Sequence, residues 1–381
     1  MKKKIIVIIV SIFAVVFTIF LINFFDSRVS PKSAKLLESN LTSTDADNKK
    51  CISALGLFVN QELDSKVEGG KILTSINTIA NETPMELSKI QVPDNIMNID
   101  LPSNDIKCTG FCDFKNEKRI ELKEKLSKMK EFLNRFKELI SYGDFQCSSP
   151  IALLKLRLLS LLKLSKFQLI EYNLMSFEGR EKEAYQGLEK MNVFFENTLY
   201  KEKYSVMQGL IYLTILNNVR EMIVTHPKYI KEQVKFKKIN YEDIVNRVNI
   251  GEVQIANLLI NSSPLDYSVF ESSNINEDGK KTEVVKNTLF NNLRNKILNY
   301  FYLKNDSINK VTENIEKASW HPCLGQKDIE CKVGMNNYLS WIRNPVGNYL
   351  FNLMSYNILP SFRKIKTKVD KLNNELIVSS L

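Results

Sequence analysis

Hydrophobic residues in this chain fall into two kinds of run. The first is continuous: Ile5 to Phe25 spans 21 residues without a charge, and only Ser11, Thr18 and Asn23 are polar. At about 1.5 Å of rise per residue such a run matches a hydrocarbon layer of roughly 30 Å, and a helix satisfies its own backbone hydrogen bonds there. The second kind is periodic. From Asn116 onward Ile120, Leu122, Leu126, Met129, Phe132, Leu133, Phe136 and Ile140 recur mostly three and four residues apart, the signature of an amphipathic helix, and Gly143 supplies a stop.

The same reading continues along the chain. Ser149-Pro150 gives an N-cap with proline at the first helical position, and the Leu-rich helix that follows is predicted to reach about Asn173. Phe177-Glu178-Gly179 is a break, and helices are predicted over 180–199 and 203–224, ending before His226-Pro227. Further helices are predicted over 241–260 and 283–303, separated by a polar loop from Ser262 to Lys281. Another is predicted from Tyr349 to Ile358. A first weak periodicity runs from Lys50 to Glu62 through Ile52, Leu55, Leu57 and Phe58. The stretch 78–115, with Pro84, Pro93 and Pro102, is predicted to be irregular, and strand signals are sparse.

The expected fold is therefore mainly α, a single N-terminal transmembrane helix followed by a helical bundle or α-solenoid-like ectodomain. No fixed repeat period accompanies the helix lengths. The expected organisation is a cytoplasmic tip and anchor at 1–25, a polar tether at 26–50 with a short helix after Ser30-Pro31, and a helical ectodomain over 51–381. A Cys- and aromatic-rich cap is expected at 318–358.

Charge adds an orientation. Lys and Arg total 53 against 43 Asp and Glu, and Lys2–Lys4 supply three of the ten excess charges, which leaves only +7 beyond them. The tight N-terminal cluster keeps its side cytoplasmic under the positive-inside rule. A cleaved signal peptide has an apolar stretch of about 7–15 residues and a small-x-small exit. Here the exit reads Leu21-Ile22-Asn23-Phe24-Phe25-Asp26, so an uncleaved anchor is expected, in a bacterial inner membrane with the C-terminal domain periplasmic. The lipid bilayer, met through residues 5–25, is the first expected partner. Nucleic acid is not expected: the nearest basic run, Arg363 to Lys368, lacks interleaved aromatics.

All six cysteines, Cys51, Cys108, Cys112, Cys147, Cys323 and Cys331, lie beyond the apolar run, which suits disulfides in an oxidising compartment. The simplest pairing is local: Cys108 with Cys112, Cys323 with Cys331, and Cys51 with Cys147. The alternative is a metal site of Cys108, Cys112, Cys323, Cys331 and His321, without the tight two-residue spacing of structural zinc. No metal or cofactor is expected.

Catalytic patterns are scarce. His226 and His321 are the two histidines, each before a proline. There is no Gly-x-Ser-x-Gly elbow, no phosphate-binding Gly-Lys-Ser/Thr loop and no Gly-x-Gly-x-x-Gly. Glu271-Ser272-Ser273 and Met207-Gln208-Gly209 resemble fragments of a lytic transglycosylase pattern but occur in the wrong order. Glu178 and Glu181 flank Arg180 as a solvated helix start would. In the Leu-rich helix Lys155, Lys163 and Lys166 share one arc, with Arg157 nearly opposite. That face suits either a membrane surface or the solvated edge of a buried bundle helix, the latter being favoured.

Both tryptophans, Trp320 and Trp341, lie near the C-terminal cysteines, with His321, Arg343 and Asn344 beside them. These five are the expected binding residues, since exposed aromatics beside Arg often mark contacts. A cysteine-clamped aromatic cap is the alternative.

Two elements, Phe301 to Asn309 and Asn344-Pro345-Val346-Gly347, resemble elements of uncharacterised, N-terminally membrane-anchored helical proteins of Gram-negative bacteria. In that group an Asn-x-Thr-x-Asn-like element is expected, and Ser307 stands here in place of Thr. The resemblance implies the anchored helical architecture and no activity. The expected function is a non-enzymatic interaction module or scaffold with an envelope protein partner. The alternatives are an envelope hydrolase acting on lipid or cell wall, with His321, Glu178 or Asp266 in a pocket, and a lipid-binding helical domain.

Overall fold

Glycine ends two of the helices. Gly143 and Gly179 have φ of +79° and +80°, where a side chain is strained. At Gly179 the chain closes a Schellman motif: Arg180 N–H donates to Met175 O at 3.0 Å and Gly179 N–H to Ser176 O at 3.3 Å. A helix start is fixed as locally, by a capping box. Ser205 Oγ accepts from Gln208 N–H at 3.2 Å while the Gln208 side chain accepts from Ser205 N–H at 2.7 Å.

The computed structural model describes residues 28–38, 45–82, 90, 92–96, 111–147, 152, 155–226, 236–261, 304–320, 324 and 358–378. Among them are ten helices and no strand: α1 (Pro31–Glu38), α2 (Asp45–Leu55), α3 (Ser65–Glu82), α4 (Asn116–Ser141), α5 (Leu158–Phe177), α6 (Glu181–Lys201), α7 (Val206–Thr225), α8 (Tyr241–Asn261), α9 (Lys304–Ser319) and α10 (Ile358–Val378). The chain is mainly α, as its periodicity predicts. None of these helices is long and apolar enough to cross a membrane, and the expected anchor, residues 5–25, lies outside the described residues. So do the expected helices at 283–303 and 349–357.

The most enclosed helix is α7. Its buried residues, from Val206 to Ile223, face α5, α6, α8 and α10 on several sides. The Leu-rich helix, favoured as a buried bundle helix with a solvated edge, is α5: it flanks α7, packed on α4, α6 and α7, with Leu159 exposed. A buried cation ties the centre together. Arg220 of α7 donates to Asn192 Oδ1 and Glu196 Oε2 of α6 and to Lys237 O, each at 3.0 Å, and lies over the Phe236 ring. Arg135 of α4 does the same for the turn between α2 and α3, donating to the carbonyls of Val59, Asn60, Gln61 and Leu63. Where α2 meets α3 the backbones touch: a Cβ on Gly69 would sit 2.1 Å from Ile52 O.

The segment 26–50 was expected to be a tether, and here the structure differs. The short helix after Ser30-Pro31 is present as α1, and it is packed against α8 and α9. Asn309 of α9 receives Ser30 N–H at 2.8 Å and donates to Arg28 O at 2.9 Å. Buried Ser33 donates to Thr312 at 3.0 Å, and Leu36 and Leu37 rest on the core. From Asp45 the same segment is already α2.

Candidate functional site

The Leu-rich stretch does not run unbroken from residue 151. Ala152 and Lys155 are helical, but the helix is interrupted at Leu156–Arg157 and α5 starts at Leu158. Arg157 takes φ −81° and ψ 75°, outside the helical region. On an unbroken helix Arg157 would oppose Lys155 and Lys163. The interruption brings all three to one side, where they meet the chain segment Ile90–Ile96.

That segment is held chiefly through its main chain. Lys155 Nζ donates to Ile90 O at 3.1 Å, Arg157 Nε to Val92 O at 2.9 Å with Nη2 on the same oxygen, and Lys163 Nζ to Ile96 O at 3.1 Å. Between them Ser160 Oγ donates to Asp94 Oδ2 at 2.6 Å. On the other side Asn95 N–H and Nδ2 both reach Phe58 O, at 3.2 and 3.0 Å. Val92 and Ile96 are buried. The gripped positions are 90, 92, 94 and 96, every second residue, with a turn at Asn95–Ile96. Burial, with Arg157 close by, holds the Lys155 ammonium below the usual lysine pKa, so part of its solvation has been exchanged for a carbonyl.

Beneath this cradle lies a cavity of about 20 Å³, lined by Leu57, Phe58, Leu156, Arg157, Phe195 and Tyr212 among others. The Tyr212 hydroxyl is buried without a hydrogen-bond partner among the described residues, and burial raises its pKa far above the ordinary range. The space admits one water-sized molecule and no acyl chain. A larger groove of about 320 Å³ runs between α4 and α5, lined by Lys123, Lys130, Asn134, Glu171, Glu178 and Arg180 among others. Its charges are largely matched: Lys123 pairs with Glu178 at 2.6 Å, Lys137 with Glu171 at 2.7 Å and Arg180 with Glu183 at 2.6 Å.

Cys51 and Cys147 form a disulfide with a Cα separation of 4.9 Å, which ties α2 to the segment after α4, as the local pairing expects. Cys112 is also disulfide-bonded, while Cys108, Cys323 and Cys331 lie outside the described residues. Beside the first disulfide a carboxylate is enclosed. Glu202 accepts from Cys147 N–H at 2.6 Å and from Lys203 N–H at 2.9 Å, and burial pushes its pKa up to about 8. The neighbouring Asp144 keeps its pKa below the usual range. Burial there raises it, and the ion pairs with Lys201 and Lys50 outweigh that.

Of the expected binding residues, Trp320 is 48% exposed and sits edge-on to Tyr241, with ring centroids 6.1 Å apart. His321, Trp341, Arg343 and Asn344 lie outside the described residues, as does Asp266. The other histidine, His226, is buried and meets the Phe111 ring edge-on at 4.3 Å. Among the described residues no three His, Cys, Asp or Glu side chains converge as a metal site would require. Sequence reasoning missed Arg157 and Ser160 as functional residues. The available signal was the alternation of apolar Val92 and Ile96 with polar Asp94 across Pro93; the described residues 92–96 are irregular, as expected, with a turn at 95–96.

No family model, curated protein or solved structure matches this chain.

Proposed function

We propose that this chain is a non-enzymatic interaction module of the bacterial envelope. On this reading it is anchored in the inner membrane by residues 5–25 with its helical domain on the periplasmic side, and the cradle at the start of α5 is its binding surface for a short peptide segment of a protein partner. The observation that carries the binding reading is the grip of Lys155, Arg157 and Lys163 on the carbonyls of Ile90, Val92 and Ile96. Contacts to main-chain carbonyls accept many sequences, while the two buried positions and Ser160 add selectivity for an apolar-x-Asp-x-apolar pattern. The chain's own segment then acts as an occupant that a partner must displace. Being tethered, it competes at an effective concentration on the order of millimolar. Enclosure of α7 by four helices favours the bundle form of the ectodomain over a solenoid.

The anchor and its side of the membrane are supported by the 21-residue apolar run, by Lys2–Lys4, and by the disulfides beyond it.

The test is binding in trans. Full-length protein carrying Val92→Ser, Asp94→Ser and Ile96→Ser is titrated against a fluorescent peptide spanning residues 90–97, read by anisotropy. Saturable binding is expected. It is expected to disappear when Arg157→Ala and Lys163→Ala are added, with helicity unchanged by circular dichroism. A folded, segment-displaced protein that fails to bind the peptide at any concentration would overturn the reading.

A further inference from the structure

We infer that the beginning of α1 and the Asn309 turn of α9 form a face that lies directly on the phospholipid headgroups, so that the helical domain has a fixed orientation on the bilayer rather than a tethered one. This rests on the proposed anchor, and it goes beyond it by assigning which surface of the domain meets the lipid.

The argument begins with chain length. The apolar run ends at Phe25, and Arg28 is already held by the domain through its carbonyl. Three Cα spacings of 3.8 Å allow at most about 11 Å between those two residues. The interfacial layer on each side of the hydrocarbon is itself about 5–8 Å deep. At most about 3–6 Å is left for a stand-off, so the first residues the domain grips emerge at or just beyond headgroup level.

The grip itself is extensive. Asn309 binds both Arg28 O and Ser30 N–H, so the two-residue stretch is fixed by one amide side chain. Downstream, Ser33 is buried against Thr312, Lys32 is paired with Glu316, and Gln254 of α8 donates to Leu36 O at 3.4 Å. Successive contacts 30 to 309 and 33 to 312 run in the same direction, so α1 lies parallel to α9 along its first turns. The Asn309 contacts come first along the chain, so moving the domain away from the bilayer begins with breaking them.

Charge agrees with the assignment. Arg28 and Lys35 are exposed on this short stretch, with Lys32 paired to Glu316 of α9, against one exposed carboxylate, Glu38. Cations at headgroup level face lipid phosphates, which suits anionic phospholipid in particular. The occupant of this face is therefore the phospholipid headgroup layer.

The experiment uses full-length protein in nanodiscs of phosphatidylcholine with phosphatidylglycerol, some lipids carrying a headgroup nitroxide. One cysteine is introduced per variant and labelled with an environment-insensitive fluorophore: Glu313→Cys on α9, beside the proposed face, or Lys128→Cys on α4, remote from it. Both native side chains are exposed, at 61% and 67%. Loss of most of the fluorescence at position 313, with none at 128, is the expected result. Asn309→Ala with Ser30→Pro, which removes both hydrogen bonds of the clamp, is expected to restore the signal at 313.

Two outcomes overturn the inference separately. Protein that resists alkaline extraction from membranes yet shows equal quenching at 313 and 128 keeps its anchor and refutes the fixed face. Protein released by alkaline extraction refutes the anchor, and the face with it.

Discussion

Breaking the Cys51–Cys147 disulfide should cost this protein a large part of its stability, and the size follows from the chain it closes. The two cysteines are 96 residues apart in sequence. A cross-link removes conformations from the unfolded chain according to the length of the loop, and a loop near 100 residues corresponds to about 4.5 kcal/mol at 25 °C. Both residues are buried, at 1% and 3% exposure, so alanine also leaves small voids worth about 1 kcal/mol each. The variant Cys51→Ala/Cys147→Ala is therefore expected to lose about 6–7 kcal/mol, against a typical total of about 5–15 kcal/mol. Urea unfolding of the full-length protein in detergent micelles, followed by far-ultraviolet circular dichroism, measures it. The remaining disulfide at Cys112 is kept oxidised throughout. A loss under about 1 kcal/mol, the size of an ordinary point substitution, would mean that the unfolded chain already holds these positions near each other. The entropic reasoning would then be refuted.

Two further predictions concern the packing around that bond. Glu202 titrates near 8 in the folded chain against a usual value of 4.5, so the folded state binds the extra proton between those values. Its contribution to stability is fully favourable below pH 4.5, falls as pH rises through that window, and is lost above 8, by up to about 5 kcal/mol. Glu202→Gln should flatten the pH dependence of the urea midpoint between pH 5 and 8, and parallel profiles for the two proteins would contradict the assignment. Gly69→Val should destabilise the α2–α3 contact by at least about 2 kcal/mol, because the added Cβ meets Ile52 O at 2.1 Å. An unchanged melting temperature would show that the two backbones can part at no cost.

What the sequence makes legible here is set by how locally each feature is written. The ends of α4, α5 and α7 rest on Gly143, Gly179 and Ser205 with Gln208, all within one turn of the helix they terminate. The Leu-rich helix is legible as apolar, but not its start, because the interruption at Arg157 is made by a contact with Val92, 65 residues earlier. Helices α9 and α10 escape a reading based on apolar runs, being rich in Lys and Asn. Their buried residues nevertheless share one spacing: Ile308, Val311, Ile315 and Ala318 in α9, and Phe362, Ile365, Val369 and Leu372 in α10. The basic run from Arg363 to Lys368, too short and poor in aromatics to suggest nucleic acid, carries the buried Ile365 of that second stripe between its charged residues. The clamp on α1 has no local signature at all. Ser30 and Asn309 are 279 residues apart, although Asn309 lies in the element singled out by its resemblance to anchored helical proteins.

That clamp has a consequence for how the chain is made. Helix α1 leaves the ribosome early; part of the surface it packs on comes 218 residues later at Gln254 of α8, and the rest 279 residues later at Thr312 of α9. At about 5–20 residues per second, translation leaves α1 waiting roughly 15–55 s. Until α8 emerges Leu36 and Leu37 have no core to rest on, and until α9 emerges Ser33 has only its neighbour Ser30. Residues 28–33 therefore close onto α9 only after the intervening helices have been made. Any factor that shields a short apolar helix during synthesis therefore has a defined client site, Pro31 to Glu38, and a defined moment of release, the emergence of α9.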